Sequence, residues 1–230
     1  MTTTRTEPFR QRSQLSDEAS AYIRNLIMSG QLLPGESVRP ELIAEPLGVS
    51  TTPVREALQA LRVEGFLELL PRRGFIVAPL TGSDIRDIFT AHALIAGELA
   101  ARAARNATPE EIATLAELHE SLLAAARSGD LEGLEQRNHQ FHREVNRTAE
   151  ARKLGWVLGV VGRYVPHLFY STVRGWPGAT IEDHSAIMES IAAGNAEQAR
   201  EAMTRHIIHA GELLAQQFDE RTVRSGQSGS

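Results

Sequence analysis

The chain has 230 residues, of which 42% are hydrophobic and 23% charged, and its 24 basic and 29 acidic side chains give a net charge of −5. No apolar run approaches the ~18 residues that a membrane span needs, and the N-terminus has no apolar signal region, so we expect a cytoplasmic protein without a membrane partner. The absence of cysteine excludes disulfides and thiolate metal sites. Taken alone, the acidic balance argues against a nucleic-acid partner.

The charge is unevenly distributed along the chain. The first 80 residues contain nine arginines and nine acidic residues, which leaves 15 of the 24 basic and 20 of the 29 acidic residues for the rest. We therefore expect a neutral N-terminal part, with one domain over 15–79, and an acidic domain over 80–220. The polar segments 1–14 and 221–230 show no hydrophobic periodicity and are predicted to be disordered tails.

Local signals in the first domain predict three helices followed by a β-hairpin. Apolar residues at helical spacing indicate helices over 15–29, 40–47 and 51–64, and Ser50 can cap the third. Two short β-like runs follow at 66–70 and 75–78, separated by a Pro-Arg-Arg-Gly turn. This order is typical of a winged helix-turn-helix.

The second domain is rich in alanine and has few β-branched runs, which favours stacked helices. Thr108 stands at a helix start, with Pro109 at the first position and Glu111 at the third. The predicted fold is therefore mainly α, with a winged helix-turn-helix joined to an all-α bundle. Its six helices are expected at 83–106, 109–128, 131–147, 152–170, 179–193 and 196–220.

The most informative motif lies at residues 47–65 and reads LGVSTTPVREALQALRVEG. It resembles a signature of the GntR family of bacterial transcription regulators, and the resemblance extends over about 15–77. The physics of the segment agrees, because exposed amides and the positive dipole end of a helix suit a phosphate. A recognition helix also presents its first residues to base edges in the major groove.

Side chains on this segment form the candidate DNA-binding set. Arg55 lies one turn beyond the start of the third helix and can fork onto guanine or a phosphate. The wing tip is basic, and a glycine there permits close backbone approach. The resemblance adds Arg39, whereas Thr51 stands where the family commonly has arginine, so we expect an operator that differs from the family's usual one. The expected contacts are Arg39, Ser50, Thr51, Thr52, Arg55, Arg72, Arg73 and Gly74.

The helical half resembles the ligand-binding domain of the FadR-type GntR subgroup, called FCD. The matching residues are Asn138, His142, His184 and His206. In metal-binding members these positions are Asp, His, His and His, so the resemblance implies a divalent transition metal here. Imidazole and oxygen donors favour zinc, with nickel or manganese as alternatives. Asn138 in place of aspartate removes one negative charge and weakens the predicted affinity.

Effector recognition departs from the subgroup in the first helix of this half. Members often have an arginine that helps to bind an acidic effector, and the corresponding residue here is His92. A small carboxylate remains a candidate effector, with His92 and Arg163 as candidate contacts, although imidazole anchors a carboxylate less well than guanidinium. We interpret His119, His139, His167 and His209 as ordinary histidines.

The sequence leaves three functional classes to consider: an enzyme, a helical ligand-binding protein and a transcription regulator. The metal site could activate water, yet no general base stands at motif spacing and no phosphate loop, GxSxG or HExxH motif occurs, which argues against an enzyme. A helical ligand-binding protein with a lost or secondary DNA function is the alternative. The favoured hypothesis is a homodimeric, ligand-responsive regulator, more often a repressor than an activator, that reads a pseudo-palindromic operator.

Overall fold

The computed structural model describes residues 7–165, 173 and 175–227. The chain divides between Leu80 and Thr81 into two compact units. The N-terminal unit contains α1 (Glu7–Met28), α2 (Pro40–Leu47), α3 (Thr51–Val63), β1 (Leu67–Leu70) and β2 (Gly74–Val77). The predicted order of three helices and a hairpin is confirmed.

The core of the N-terminal unit forms where α1 and α2 pack against α3. The apolar face of α3 is fully buried, and α1, whose Ile23 and Ile27 are also buried, packs against this helix. Burying one such aliphatic side chain stabilises the fold by about 1.5–3 kcal/mol. The opposite face of α3, which includes Thr52, Arg55 and Arg62, is exposed. The buried face consists of Val54, Ala57, Leu58 and Leu61.

The hairpin is antiparallel, and its register runs from Leu67 opposite Val77 to Leu70 opposite Gly74. A third backbone segment extends this sheet, because the Gly35 amide donates to the Val77 carbonyl and Ser37 bridges to β2. The wing is therefore anchored to the segment that leads into α2. This arrangement brings the start of α2 towards the hairpin.

The second unit is helical throughout its described part. It contains α4 (Gly82–Asn106), α5 (Pro109–Ser128), α6 (Leu131–Thr148), α7 (Arg152–Val161), a 3-10 turn (Gly162–Tyr164), α8 (Trp176–Ala192) and α9 (Ala196–Gln227). Thr108 caps α5 in a capping box with Glu111, as the sequence predicts. None of the helices described is long and apolar enough to cross a membrane.

The α4 and α9 helices form the central pair of this unit. They approach closely at Gly211, where an added Cβ would lie 2.5 Å from the Cβ of Phe89. Phe89 is buried, so it has little room to move away. The α6 and α8 helices pack against α4, and α8 also packs against α9. Four helices therefore surround one interior region.

Several helix ends differ from the predicted ones. The α1 helix begins at Glu7 and α9 extends to Gln227, so helix covers part of both segments that were predicted to be disordered tails. These ends are polar and leave no periodic apolar signal. The helix predicted over 152–170 stops at Val161, before the glycine that opens the 3-10 turn. Residues 1–6, 166–172 and 228–230 of these predictions lie outside the described residues.

Candidate functional site

The first turn of α3 presents polar side chains to solvent. Ser50 occupies the N-cap position with extended backbone, but its side chain makes no capping hydrogen bond, contrary to the expected cap. Ser50 and Thr52 are exposed and Thr51 is half-buried. The amides at this end therefore lack a side-chain partner from Ser50, and they can receive an anion such as a phosphate.

Arg55 projects from the same helix and meets α2. Its Nη2 lies 3.3 Å from Oε1 of Glu41, and the two side chains are 62% and 63% exposed. Exposed ion pairs of this kind contribute at most about 1 kcal/mol. The guanidinium can therefore leave Glu41 for a nucleic-acid acceptor. The contact also shows that the start of α2, where Arg39 is exposed at the N-cap, lies beside α3.

The tip of the wing carries Arg72 and Arg73, both exposed. Arg72 adopts a left-handed backbone with φ of 65°, and Gly74 follows with φ of 74°. A Cβ on Gly74 would meet no atom within 4 Å, so its backbone is open to an approaching molecule. All eight predicted DNA contacts thus lie in the N-terminal unit, on the first two turns of α3 and its N-cap, at the start of α2 and on the wing.

Three histidines meet inside the helical unit. His142 comes from α6, His184 from α8 and His206 from α9, and one ring nitrogen of each lies within 4.8 Å of the others. Nε2 of His142 lies 3.1 Å from Nε2 of His206. Two nitrogens bound at 2.0–2.1 Å to a tetrahedral zinc ion lie about 3.3 Å apart. The observed spacing therefore suits two ligands of one cation, and the trio could hold a metal.

The polar atoms at this cluster fit a cation. His184 is fully buried, and neither of its ring nitrogens has a hydrogen-bond partner. Oδ1 of Asn138 is likewise buried without a partner. Burial lowers the pKa of His142 and of His184 well below the usual value, with a further contribution from the neighbouring His206. Neutral imidazoles keep their lone pairs available, as metal ligation requires.

A carboxylate that sequence reasoning did not single out lies behind the cluster. Asp183 is 8% exposed, and its Oδ2 lies 3.5 Å from Nδ1 of His206 and 3.3 Å from Nδ1 of His209. Burial raises the pKa of Asp183, but the interactions with His206 and then His209 outweigh burial and hold that pKa below its usual value. Its position directly before His184 is the one sequence signal that could have pointed to it.

A cavity of about 100 Å³ opens beside the histidines. One wall is apolar and includes Phe89, Leu158 and Ile207. The polar wall also contains His139 and Asn146, which were not assigned to a site from the sequence. Both lie at helical spacing from His142 and share the inner face of α6 with it. The polar lining consists of His92, Asn138, His139, His142, Asn146 and His206.

The two candidate effector contacts are placed differently. His92 lines the cavity, 6.0 Å from Phe89 between ring centroids. The pKa of His92 is lowered to about 4, mainly by burial and to a smaller extent by repulsion from His206. Arg163 is exposed on the 3-10 turn and is not among the described residues that line the cavity. His92 is therefore positioned to contact a ligand there as a neutral ring.

Comparison with known proteins agrees with both halves of this structure. Residues 15–77 match the model of the gntR family of bacterial regulatory proteins, and residues 87–209 match that of the FCD domain. A relative from Agrobacterium vitis, an "uncharacterized HTH-type transcriptional regulator in the TAR-I ttuE-ttuC' intergenic region", is 34% identical over 129 residues, which cover 54% of this chain and 75% of that protein.

Two further likenesses span most of the chain. A "probable D-xylose utilization operon transcriptional repressor" from Paenarthrobacter nicotinovorans is 29% identical, with coverage of 85% of this chain and 87% of that protein. The solved structure of E. coli McbR/YncC superposes with a TM-score of 0.70 at 24% identity and covers 89% of this chain and 98% of that one. The latter likeness concerns the fold.

The family and these relatives are transcriptional regulators and not enzymes. The chain therefore belongs to the GntR family of bacterial regulatory proteins and carries a C-terminal FCD domain.

Proposed function

We propose that this transcription regulator is a metal-dependent, ligand-responsive repressor that binds a short pseudo-palindromic operator as a homodimer. The observation that carries this proposal is the three-histidine cluster, which borders a cavity in a unit separate from the DNA reader. A ligand in that cavity can alter DNA affinity by stabilising one arrangement of the dimer over another. DNA as the partner also argues for a cytoplasmic location.

The DNA contacts are proposed to come from the first turn of α3, the start of α2 and the wing. Arg55 makes the central contact, because it is exposed and held only by a weak surface ion pair. The residues around it are Arg39, Ser50, Thr51, Thr52, Arg72, Arg73 and Gly74. Phosphate contacts by the arginines would set the register, and contacts at the start of α3 would select the sequence.

Arg55→Ala tests this surface. Loss of a bidentate base contact costs about 1–3 kcal/mol, and we expect the specific shift on DNA upstream of the gene itself to disappear at physiological salt. Arg62→Ala is the matched control, because Arg62 is an exposed arginine in the last turn of the same helix. Unchanged binding by the Arg55 variant would disprove the assignment.

The metal is proposed to be a divalent transition ion, with zinc favoured over nickel or manganese. His142, His184 and His206 would supply nitrogen ligands, and Asn138 an oxygen ligand. Bound there, the ion would act as a Lewis acid towards a ligand in the cavity. Elemental analysis of protein purified without a histidine tag tests this assignment. We expect stoichiometric metal in the wild type and loss of it in His184→Ala, with His119→Ala as control.

The homodimer is proposed to use the exposed apolar face of α7. Trp156 is 67% exposed, and Val157 and Val160 on the same helix are 37% and 42% exposed. Large apolar side chains grouped on one helix surface mark an interaction site. A two-fold dimer would pair two reading heads with two operator half-sites. We expect Trp156→Asp to be monomeric in sedimentation velocity, whereas an unchanged dimer would place the interface elsewhere.

The effector is proposed to be a small molecule, a carboxylate being the first class to screen. It would occupy the cavity beside the metal, with His92 as a neutral hydrogen-bond partner. Ligand screening by thermal shift on metal-loaded protein identifies candidates. A true effector should also release the operator in the shift assay, because binding linkage is reciprocal. A hit that raises the melting temperature without releasing DNA would not be the effector.

A further inference from the structure

Asp183 joins one histidine of the cluster to the surface of α9. Its Oδ2 faces Nδ1 of His206 at 3.5 Å and Nδ1 of His209 at 3.3 Å, and its Oδ1 lies 3.7 Å from Nε of Arg205. The carboxylate is 8% exposed, whereas the His209 side chain is 47% exposed. One buried acidic group on α8 therefore receives three cationic or potentially cationic partners from α9.

The geometry separates the two nitrogens of the His206 ring. Nδ1 points to the carboxylate, and Nε2 points to the interior, 3.1 Å from Nε2 of His142. A carboxylate can only accept a hydrogen bond, so it favours the His206 tautomer that carries its hydrogen on Nδ1. That tautomer leaves the lone pair of Nε2 directed into the cluster. A carboxylate in this position also fixes the orientation of the liganding imidazole ring.

The charge of the cluster gives Asp183 a second role. The four proposed ligands are three imidazoles and one amide, so none of them carries a negative charge. A divalent cation held by these groups would retain both positive charges. Asp183 supplies a carboxylate 3.5 Å from Nδ1 of His206 and would compensate part of that charge.

We propose that Asp183 is a positioning residue that fixes the His206 ring for metal binding and partly balances the charge of the bound ion. The proposal rests on the metal site proposed above. A purely structural role would instead have Asp183 pair only with Arg205 on the surface. The two roles differ in their effect on the tautomer of His206 and on metal affinity, while both allow some change in stability.

The test compares three variants of the full-length protein with zinc as the probe. Asp183→Asn retains the shape but removes the charge, and Asp183→Glu restores a carboxylate. Glu182→Gln is the matched control, because Glu182 is the exposed acidic neighbour of Asp183. Zinc affinity is measured by competition with a chromophoric chelator. We expect Asp183→Asn to bind zinc about 10–100-fold more weakly, Asp183→Glu to recover part of that loss, and the control to match the wild type.

A second measurement does not depend on metal. Long-range ¹H–¹⁵N correlation spectra of the metal-free protein report which nitrogen of His206 carries the proton. We expect Nδ1–H in the wild type and a mixture of tautomers in Asp183→Asn. Hydrogen on Nε2 in the wild type, or unaltered zinc affinity in a folded Asn variant, would overturn the proposal.

These readouts also separate this proposal from the metal site itself. A wild-type protein that binds no zinc, nickel or manganese would refute the metal site, yet the tautomer of His206 would still decide whether Asp183 orients the ring. If the Asn variant fails to fold, the wild-type tautomer and the affinity of the Glu variant decide the question. Far-ultraviolet circular dichroism establishes folding in each case.

Discussion

The neutral state of His92 makes the helical unit sensitive to acid. The folded protein lowers the pKa of His92 to about 4, whereas an unfolded histidine titrates near 6.5. Below about pH 6.5 the unfolded chain binds a proton that the folded chain refuses, so the free energy of unfolding falls as the pH falls. The full loss is about 3 kcal/mol, and about 2 kcal/mol of it has occurred at about pH 5.

His92→Gln removes this titration while leaving a neutral polar side chain in the cavity. Urea unfolding at about pH 7.5 and about pH 5, with a chelator present, should show an acid-induced loss about 2 kcal/mol smaller in the variant than in the wild type. Tryptophan fluorescence reports on the correct unit, because both tryptophans, Trp156 and Trp176, lie in the helical half. His142 and His184 contribute a loss of the same sign, and that loss remains in the variant.

Asn146→Ala is the control for this experiment. Asn146 lines the same cavity but has no titratable group, so its variant should keep the full acid-induced loss. An equal loss in His92→Gln and in the wild type would show that His92 is not held neutral by its surroundings. Burial would then not hold His92 neutral, whatever the absolute stability of the variant.

Three further changes have defined outcomes. Gly211→Ala should lower the free energy of urea unfolding by about 1–3 kcal/mol because its Cβ would meet Phe89 at 2.5 Å. Gly178→Ala, in open space on α8, should leave it unchanged or raise it by up to about 1 kcal/mol, and a similar loss in both variants would contradict the packing argument. Thr108→Ala removes the cap of α5 and should lower the thermal midpoint, at a cost of about 1 kcal/mol. Asn138→Asp adds a charge beside the proposed ion and should raise zinc affinity about tenfold or more in chelator competition; weaker binding would exclude position 138 as a ligand.

Local chemistry in the sequence predicted the elements that have buried faces or specific caps. Apolar residues three to four positions apart identified α3. The threonine, proline and glutamate at the start of α5 identified the boundary of that helix. Polar helix ends left no such signal, so the first turns of α1 and the last turns of α9 were missed. Hydrophobic periodicity reveals a helix because one of its faces is buried. A helix end that is exposed all round has no buried face and therefore gives no such pattern.

The site was predictable in part. The three histidines were identified through a family resemblance, and the fold brings them together from α6, α8 and α9. Asn146 could have been found, since it follows His142 by four residues and shares its helix face. Asp183 could not be assigned a partner, because its contacts cross from α8 to α9 and depend on how the two helices pack. Tertiary contacts of this kind have no local sequence signal.

The ion pair between Arg55 and Glu41 has a kinetic consequence for a DNA reader. If Arg55 is the proposed DNA contact, it would keep Glu41 as a partner while the protein moves along unrelated DNA, and that exposed pair contributes at most about 1 kcal/mol. A guanine with two acceptors offers more than the carboxylate does and releases the side chain. Glu41 would therefore offer Arg55 a weak alternative partner at wrong sites, and a base with two acceptors would replace it at the right one. A protein with a neutral N-terminal part and an acidic C-terminal domain would bind unrelated DNA only briefly. It would discriminate between sites at the step in which Arg55 exchanges Glu41 for a base.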